Sequence, residues 1–174
     1  MYLRNCESLT ELPSMSDEMQ SLTVLDLYGC HKISTIPKFT GIMKSLLELY
    51  LGDTDIMKLA PSSIECVTAL TLLHLSECRN LECLPSMDNL RSLKALDLSE
   101  CSKLKSLPRL PSTVRYINTK GCFSLKWSPA WVKLSIWSQS LSQWLPYNES
   151  GSRWEFTILF HFLQVIFSLS LSHC

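Results

Sequence analysis

The chain has 174 residues, of which 46% are hydrophobic and 18% charged, and its 16 basic and 16 acidic residues leave no formal net charge. This length suits one domain, or one domain with a tail, and the composition excludes a largely disordered chain. The lack of a basic excess weighs against a nucleic-acid-binding protein. The first residues, MYLRNCESLTELP, contain no apolar stretch of the secretory type, so we expect no signal peptide and reduced, cytosolic cysteines.

A repeat dominates residues 1–126. LTLLHLSECRNLECLP begins at Leu70 and LKALDLSECSKLKSLP at Leu93, and both read L-x-x-L-x-L-x-x-C-x-x-L-x-x-L-P. Six such units are centred on Cys6, Cys30, Thr54, Cys78, Cys101 and Cys122, which lie 24, 24, 24, 23 and 21 residues apart. This period and pattern are the signature of a leucine-rich repeat. The predicted fold is an α/β solenoid, a leucine-rich-repeat arc of about six rungs, where one rung is one repeat unit.

Each L-x-L core alternates with period two and predicts a short strand with one buried face. Stacked rungs bury these leucines and place the short parallel strands on the concave face. The segments after each proline are too short and polar for long helices, so we expect irregular or single-turn helical structure on the convex side. Their predicted apolar anchors are Met15, Met19, Phe39, Ile42, Ile64, Val67, Met87 and Leu90.

The cysteine of each unit follows the strand, where the chain turns and main-chain groups need partners. Cysteine is small, tolerates burial and is a weak donor, so Cys30, Cys78, Cys101 and Cys122 are predicted to form a buried column. Thr54 fills the same slot, and side chains that project in parallel are poorly placed for disulfides. We therefore favour a structural ladder over disulfides or a metal site.

No motif for catalysis, nucleotide binding or metal binding is present, so we predict no enzyme activity, no cofactor and no metal. The nearest approach to a metal-binding group is His74 with Cys78 and Cys83. His74 is expected on the exposed strand face and Cys78 inside, which makes shared coordination a poor prediction.

The residues between the leucines are predicted to face solvent on the concave side. The candidate partner-binding residues are Asp26, Tyr28, Tyr50, Asp53, His74, Ser76, Glu77, Asp97, Ser99, Glu100, Tyr116 and Asn118, with Tyr2, Arg4 and Lys120 on the same face. Aromatic and charged side chains are typical of a protein-binding surface, although an ordinary solvated sheet face is also polar, and both interpretations stay open. We expect Asp26→Lys with Asp97→Lys to weaken partner capture with little loss of folding.

Basic residues follow the cysteine column, namely Lys32, Arg79, Lys103 and Lys105.

Residues 127–174 form a second predicted unit with a different composition. They contain all five tryptophans, some of which are expected to cover the open end of the solenoid. Apolar residues spaced by three and four predict a helix after Pro129. For the apolar stretch 156–172 we expect an artefactual C-terminus, or else a helix packed on a partner or on a domain outside this chain. The alternative is a membrane-associated adaptor held by that stretch.

The units LTVLDLYGCHKISTIP, LTLLHLSECRNLECLP and LKALDLSECSKLKSLP closely resemble the repeats of plant TIR-type nucleotide-binding leucine-rich-repeat disease resistance proteins, which are intracellular immune receptors. LPRLPSTVRYINTKGCFSLK resembles the last repeats of that family. The resemblance implies a C-terminal repeat fragment of a cytoplasmic or nuclear receptor. Its expected partners are proteins: a pathogen effector, a guarded host protein, or the receptor's own nucleotide-binding domain, which the repeats restrain.

The resemblance also implies that NAD cleavage by a TIR domain and ATP or ADP binding by a central domain belong to parts outside this chain. No catalytic or cofactor-binding residue is therefore carried over to the present sequence.

Overall fold

The computed structural model describes residues 1–16 and 18–126. Its strands are β1 (Val24–Asp26), β2 (Glu48–Tyr50), β3 (Leu72–His74), β4 (Ala95–Asp97) and β5 (Tyr116–Asn118). They form one parallel sheet in the order β1-β2-β3-β4-β5. Tyr2 makes a further parallel bridge to Asp26, so the first rung lies beside β1. The predicted arc of short parallel strands is confirmed.

Neighbouring strands are aligned so that equivalent leucines are direct partners. The central column consists of Leu25, Leu49, Leu73, Leu96 and Ile117. A second column, two residues further along each rung, contains Leu27, Leu51, Leu75 and Leu98, all of which are fully buried. Each leucine removed from water contributes roughly 1.5–3 kcal/mol. A strand of three residues could not bury its leucines alone, so the hydrophobic core exists only because the rungs stack.

The cysteine slot forms the predicted ladder. Cys30, Cys78 and Cys101 are buried and Cys122 is half-buried. Each thiol donates to a main-chain carbonyl of the preceding rung at 3.0–3.1 Å, in the pairs Cys30–Leu3, Cys78–Leu51, Cys101–Leu75 and Cys122–Leu98. The ladder therefore connects the rungs through hydrogen bonds from the thiols.

Thr54 shows what the slot requires. Its hydroxyl donates to the Leu51 carbonyl of its own rung at 2.7 Å and lies 3.6 Å from the Cys78 sulfur. The slot thus holds a small side chain with one donor, and the Thr54 hydroxyl uses that donor within its own rung.

The seven cysteines of the described residues are free thiols. Burial raises the pKa of Cys30 and of Cys78, and the neighbouring Cys122 thiol together with burial raises the pKa of Cys101. The buried thiols therefore keep their protons at neutral pH, as a bond to a carbonyl oxygen requires.

The convex segments are largely irregular, as predicted. One short helix, α1 (Pro61–Glu65), occurs within the described residues. Pro61 suits its first turn because that position needs no main-chain N–H donor, and Ile64 anchors the helix in the core. Elsewhere on this side single parallel bridges connect neighbouring rungs, for example Met15 to Phe39 and Lys58 to Cys83.

Six of the eight predicted convex anchors are buried: Met15, Phe39, Ile64, Val67, Met87 and Leu90. The prediction was wrong for Ile42, which is 50% exposed, because Met43 takes the inward position equivalent to Val67. It was also wrong for Met19, which is 39% exposed. Met19 belongs to the first rung, which has a described neighbour on one side only.

The rung centred on Cys122 continues the solenoid, since Val114 and Ile117 are buried and Leu125 packs on the core. The predictions for residues 127–174, namely a tryptophan cap, a helix after Pro129 and the apolar stretch 156–172, lie outside the described residues. Within the described part of the chain, no helix has the length and apolar character needed to cross a membrane.

Leu75→Asp is predicted to destabilise the chain by about 4 kcal/mol or more, because an unpaired carboxylate would replace a fully buried leucine. Urea unfolding followed by circular dichroism measures the loss. Leu47→Asp is the matched control, since Leu47 is 42% exposed and should tolerate the charge. Equal stability of the two variants would contradict the predicted core.

Cysteine alkylation is predicted to be selective in the native chain. Cys83 is exposed and should react first with iodoacetamide, whereas the buried Cys30, Cys78 and Cys101 should react at least tenfold more slowly until urea is added. Peptide mass spectrometry follows each site, and Cys83→Ser should remove the fast labelling at that position. Rapid native labelling of Cys78 would contradict the ladder.

Candidate protein-binding face

The concave face is the face of the sheet turned away from the leucine core, and the twelve candidate residues lie on the strands or in the turns that follow them. Seven are buried: Asp26, His74, Ser76, Asp97, Ser99, Tyr116 and Asn118. Tyr28, Tyr50, Asp53 and Glu77 are partly exposed, and Glu100 is exposed. The expectation that all twelve face solvent was therefore wrong. Neighbouring rungs are only about 4.8 Å apart, so polar side chains at equivalent positions cover one another.

Acidic and amide side chains at the strand ends hold the main chain that follows. Asp26 accepts the N–H of Tyr28 at 3.1 Å, and Asp97 accepts the N–H of Ser99 at 2.9 Å. Asn118 accepts the N–H of Lys120 in the same way at 3.1 Å. This local side-chain turn ends each of these strands and satisfies N–H groups that point out of the sheet.

Further bonds connect these turns across the rungs. The Arg4 guanidinium lies 2.8 Å from the second carboxylate oxygen of Asp26. The Asp97 carboxylate also accepts the Ser99 hydroxyl at 2.7 Å and the Asn118 amide at 3.4 Å. Both buried aspartates are thus compensated by specific partners, which is the condition for burying a charge without a large penalty.

Tyr28 spans more than one rung. Its hydroxyl donates to Glu77 at 2.9 Å, although an entire rung lies between the two residues. Gly52 occupies the intervening position, where an added Cβ would lie 2.8 Å from the Tyr28 ring. The missing side chain of Gly52 therefore makes room for the tyrosine. Arg4 lies 5.2 Å from the centre of the same ring, in cation–π range.

His74 lies between two tyrosines. Its ring is 6.0 Å from that of Tyr28 in an edge arrangement and 5.5 Å from that of Tyr50. Burial lowers the pKa of His74, against an opposing effect of the nearby Asp97 carboxylate. Burial and a hydrogen bond to Glu48 raise the pKa of Tyr50, so its hydroxyl stays protonated as the donor. The centre of the face is a neutral aromatic cluster at physiological pH.

One column of residues at the end of the strands has left-handed main-chain geometry. It contains Asn5, Gly29, Asp53, Glu77, Glu100 and Gly121, with φ values between 52° and 76°. Each residue precedes the cysteine slot, and its N–H donates to a carbonyl in the neighbouring rung where one follows, as from Asp53 to Ser76 at 2.8 Å. The glycines and the asparagine carry the sequence signal for this turn, which the repeat interpretation did not use.

Glu77 and Glu100 adopt this geometry without the freedom of glycine, which costs roughly 1–2 kcal/mol per residue. The hydrogen bond that Glu77 accepts from the Tyr28 hydroxyl offsets part of that cost. The Glu100 carboxylate lies over Gly121, where an added Cβ would come within 2.5 Å of it. Asp53, Glu77 and Glu100 together form an acidic edge at the end of the strands.

The basic residues beyond the cysteine column are partly paired. Lys105 lies 2.8 Å from the Glu82 carboxylate, which raises the pKa of Lys105 and lowers that of Glu82. Lys103 donates to the Asn80 side chain at 2.7 Å, and Arg79 lies 3.7 Å from Glu77. These contacts at exposed positions reduce the attraction of the basic residues beyond the cysteine column for an anion.

No cluster of three or more histidine, cysteine or acidic side chains is placed to hold a metal ion within residues 1–16 and 18–126. His74 lies on the concave face, Cys78 belongs to the buried ladder, and Cys83 is exposed on the convex side of the repeat. The sequence pattern that brought these three residues together therefore does not correspond to one site.

Comparison with known proteins supports the repeat interpretation. Disease resistance protein RPP2A of Arabidopsis thaliana is 38% identical over 87 residues, which are 50% of this chain and 6% of that protein. TMV resistance protein N of Nicotiana glutinosa is 36% identical over 86 residues, or 49% of this chain and 7% of that protein. The chain is similar to plant disease resistance proteins.

A probable disease resistance protein of Arabidopsis thaliana adds a third match, at 33% identity over 84 residues, 48% of this chain and 5% of that protein. The resemblance derived from the repeats is thereby confirmed. The chain spans 5% to 7% of the length of these three disease resistance proteins. No protein-family model matches the chain, and no solved structure matches it significantly.

The burial of Asp26 and Asp97 changes the expected effect of replacing them. Asp26→Lys with Asp97→Lys is now predicted to destabilise the chain by about 3 kcal/mol or more, because hydrogen bonds to charged groups contribute about 1.5–3 kcal/mol each. Thermal unfolding measures the loss. Glu100→Lys, an exposed change on the same face, is the control and should unfold near the wild-type temperature. An unaltered double variant would contradict the buried network.

Proposed function

We propose that this chain is a protein-recognition part of a plant immune receptor and that its partner binds across the concave face. The proposal rests on how the side chains of that face are arranged. A buried polar network holds several aromatic and acidic side chains that remain partly exposed above it. The similarity to disease resistance proteins supplies the biological setting.

The exposed part of the face has the composition of a protein interface. Tyr2 is 73% exposed, and Tyr28 and Tyr50 are partly exposed. Tyrosine is enriched among the residues that carry most of the energy of protein binding, since it buries a large area with few rotatable bonds. The acidic edge of Asp53, Glu77 and Glu100 borders these rings and favours a partner with basic groups at the matching position.

Rigidity of the face also supports a binding role. Tyr28 is held by Arg4 and Glu77, and Tyr50 is held by Glu48. Side chains that are already fixed lose little conformational entropy when a partner binds, so less of the interaction energy is spent on ordering them.

The partners in this proposal are a pathogen effector, a guarded host protein or the receptor's own nucleotide-binding domain, and the setting is the cytoplasm or nucleus. The chain contributes recognition, and catalysis and nucleotide binding are assigned to other parts of the receptor. The twelve candidate residues serve two purposes under this proposal. The five that are partly or fully exposed make contact, and the buried seven hold them in place.

The test replaces one partly exposed and one exposed residue and leaves the hydrogen bonds of the buried Asp26 and Asp97 in place. Tyr50→Ala with Glu100→Lys is predicted to lower capture of the receptor's nucleotide-binding domain or of a defined effector at least tenfold. Interface hot spots contribute about 2 kcal/mol or more each, so a tenfold loss is a conservative expectation. Surface plasmon resonance with the purified partner measures the change, and circular dichroism checks the fold of the variant.

A matched control carries the same kinds of change away from the sheet. Met57→Ala with Lys58→Glu removes one exposed apolar side chain and reverses one exposed charge. It should leave capture within twofold of wild type. Equal capture by both double variants would show that the partner binds elsewhere.

A further inference from the structure

A cavity of about 450 Å³ lies at the opposite edge of the sheet from the acidic edge, where the chain enters the strands. Its described lining comes from four consecutive rungs. Leu47, Ala69 and Thr71 lie at one end, and Arg91, Lys94 and Arg115 lie at the other. Rungs are about 4.8 Å apart, so the cavity runs for about 14 Å along the solenoid.

The two ends of the cavity differ in chemistry. Leu47 is 42% exposed and gives the first end an apolar wall. The second end carries three cations, and no acidic side chain is among the described residues that line it. Neither Arg91 nor Lys94 forms an ion pair within residues 1–16 and 18–126. Arg115 donates to the Ser112 carbonyl at 2.7 Å, which fixes the direction of its guanidinium.

The register of the sheet brings two of these cationic side chains close together. Lys94 and Arg115 immediately precede the paired residues Ala95 and Tyr116, so their side chains start from neighbouring rungs. Like charges at directly opposed positions of a sheet repel each other. The same wall contains the Thr113 hydroxyl, which is buried and has no hydrogen-bond partner in the described structure. Arg91 and Lys94, which form no ion pair within residues 1–16 and 18–126, offer two cations to an anionic ligand at this end.

We propose that this cavity binds an extended acidic segment of a partner protein, with an apolar side chain against Leu47 and carboxylates against Arg91, Lys94 and Arg115. The apolar wall at one end of the cavity and the cations at the other determine the amino-acid sequence pattern of that segment. One apolar residue is followed or preceded, two or three positions away, by two or more aspartates or glutamates.

The dimensions favour a peptide over a small free anion. An extended chain advances about 3.3 Å per residue, so a cavity of about 14 Å accommodates roughly four residues. A phosphate or sulfate ion would engage the cationic end alone and would leave the apolar end unused. A docked segment accounts for both ends of the cavity.

This site is separate from the concave-face site of the proposed function. The two proposals have in common only that the ligand is a protein. The concave variant Tyr50→Ala with Glu100→Lys is therefore included in the test. It should bind the acidic peptide as wild type does, even where it loses its larger partner, so failure of one proposal is distinguishable from failure of the other.

The probe is a short fluorescent peptide in which a leucine is followed by three glutamates, and fluorescence anisotropy with the full chain measures its binding. We expect saturable binding that weakens as salt is added, since exposed charges are screened. Arg91→Gln with Lys94→Gln should bind the peptide at least fivefold more weakly. Leu47→Ser should weaken binding by a smaller factor.

Lys38→Gln with Lys44→Gln is the matched control. It also removes two exposed positive charges, but neither residue lines the cavity, so binding should stay within twofold of wild type. A peptide with glutamines in place of the glutamates should bind at least fivefold more weakly than the acidic probe. Inorganic phosphate at constant ionic strength should displace the probe only at far higher concentration.

Four results would overturn the inference. They are no saturable binding of the acidic peptide, equal weakening by the two double variants, equal binding of the glutamine peptide, or displacement by phosphate at the concentration at which the peptide itself competes. The last result would assign the cationic end to a phosphate group instead.

Discussion

The structure depends on residue-for-residue register between neighbouring rungs. Main-chain bonds such as Leu51 N–H to the His74 carbonyl and Leu75 N–H to the Asp97 carbonyl, both 2.8 Å, fix that register. A shift by one residue would turn the leucines outward, because side chains alternate between the two faces of a strand. The leucine columns, the thiol ladder and the left-handed column all require the same alignment.

This alignment also decides which polar sequences the sheet accepts. Every outward position meets its equivalents about 4.8 Å away, so a repeated charge would repel itself. The column containing Asp26, Tyr50, His74, Asp97 and Asn118 avoids this by placing an aromatic or neutral residue between the two aspartates. Two other columns do place like charges on neighbouring rungs. Lys94 and Arg115 are adjacent at the entry edge, and Asp53, Glu77 and Glu100 are adjacent at the acidic edge.

The sequence predicted the features that depend on a single repeated position. Leucine spacing gave the strands and the core, and a threonine in the cysteine slot showed that the slot is structural rather than reactive. It did not reveal which outward residues are buried, since Asp97 is covered by Ser99 and by Asn118 of the next rung, and those contacts follow from stacking. Ile42 was misplaced for a related reason, because Met43 is equally apolar and only packing decides between neighbours.

Tyr28 makes the concave face more than a sum of independent rungs. In a solenoid each unit normally contacts only its neighbours, and stability is then a sum of local terms. Tyr28 instead crosses the space left by Gly52 and bonds to Glu77, and the Arg4 guanidinium lies 5.2 Å from the centre of its ring. The first four rungs are joined through this one side chain. A partner that moves the Tyr28 ring must also break its bond to Glu77, so contacts at one end of the face and the acidic edge are energetically coupled.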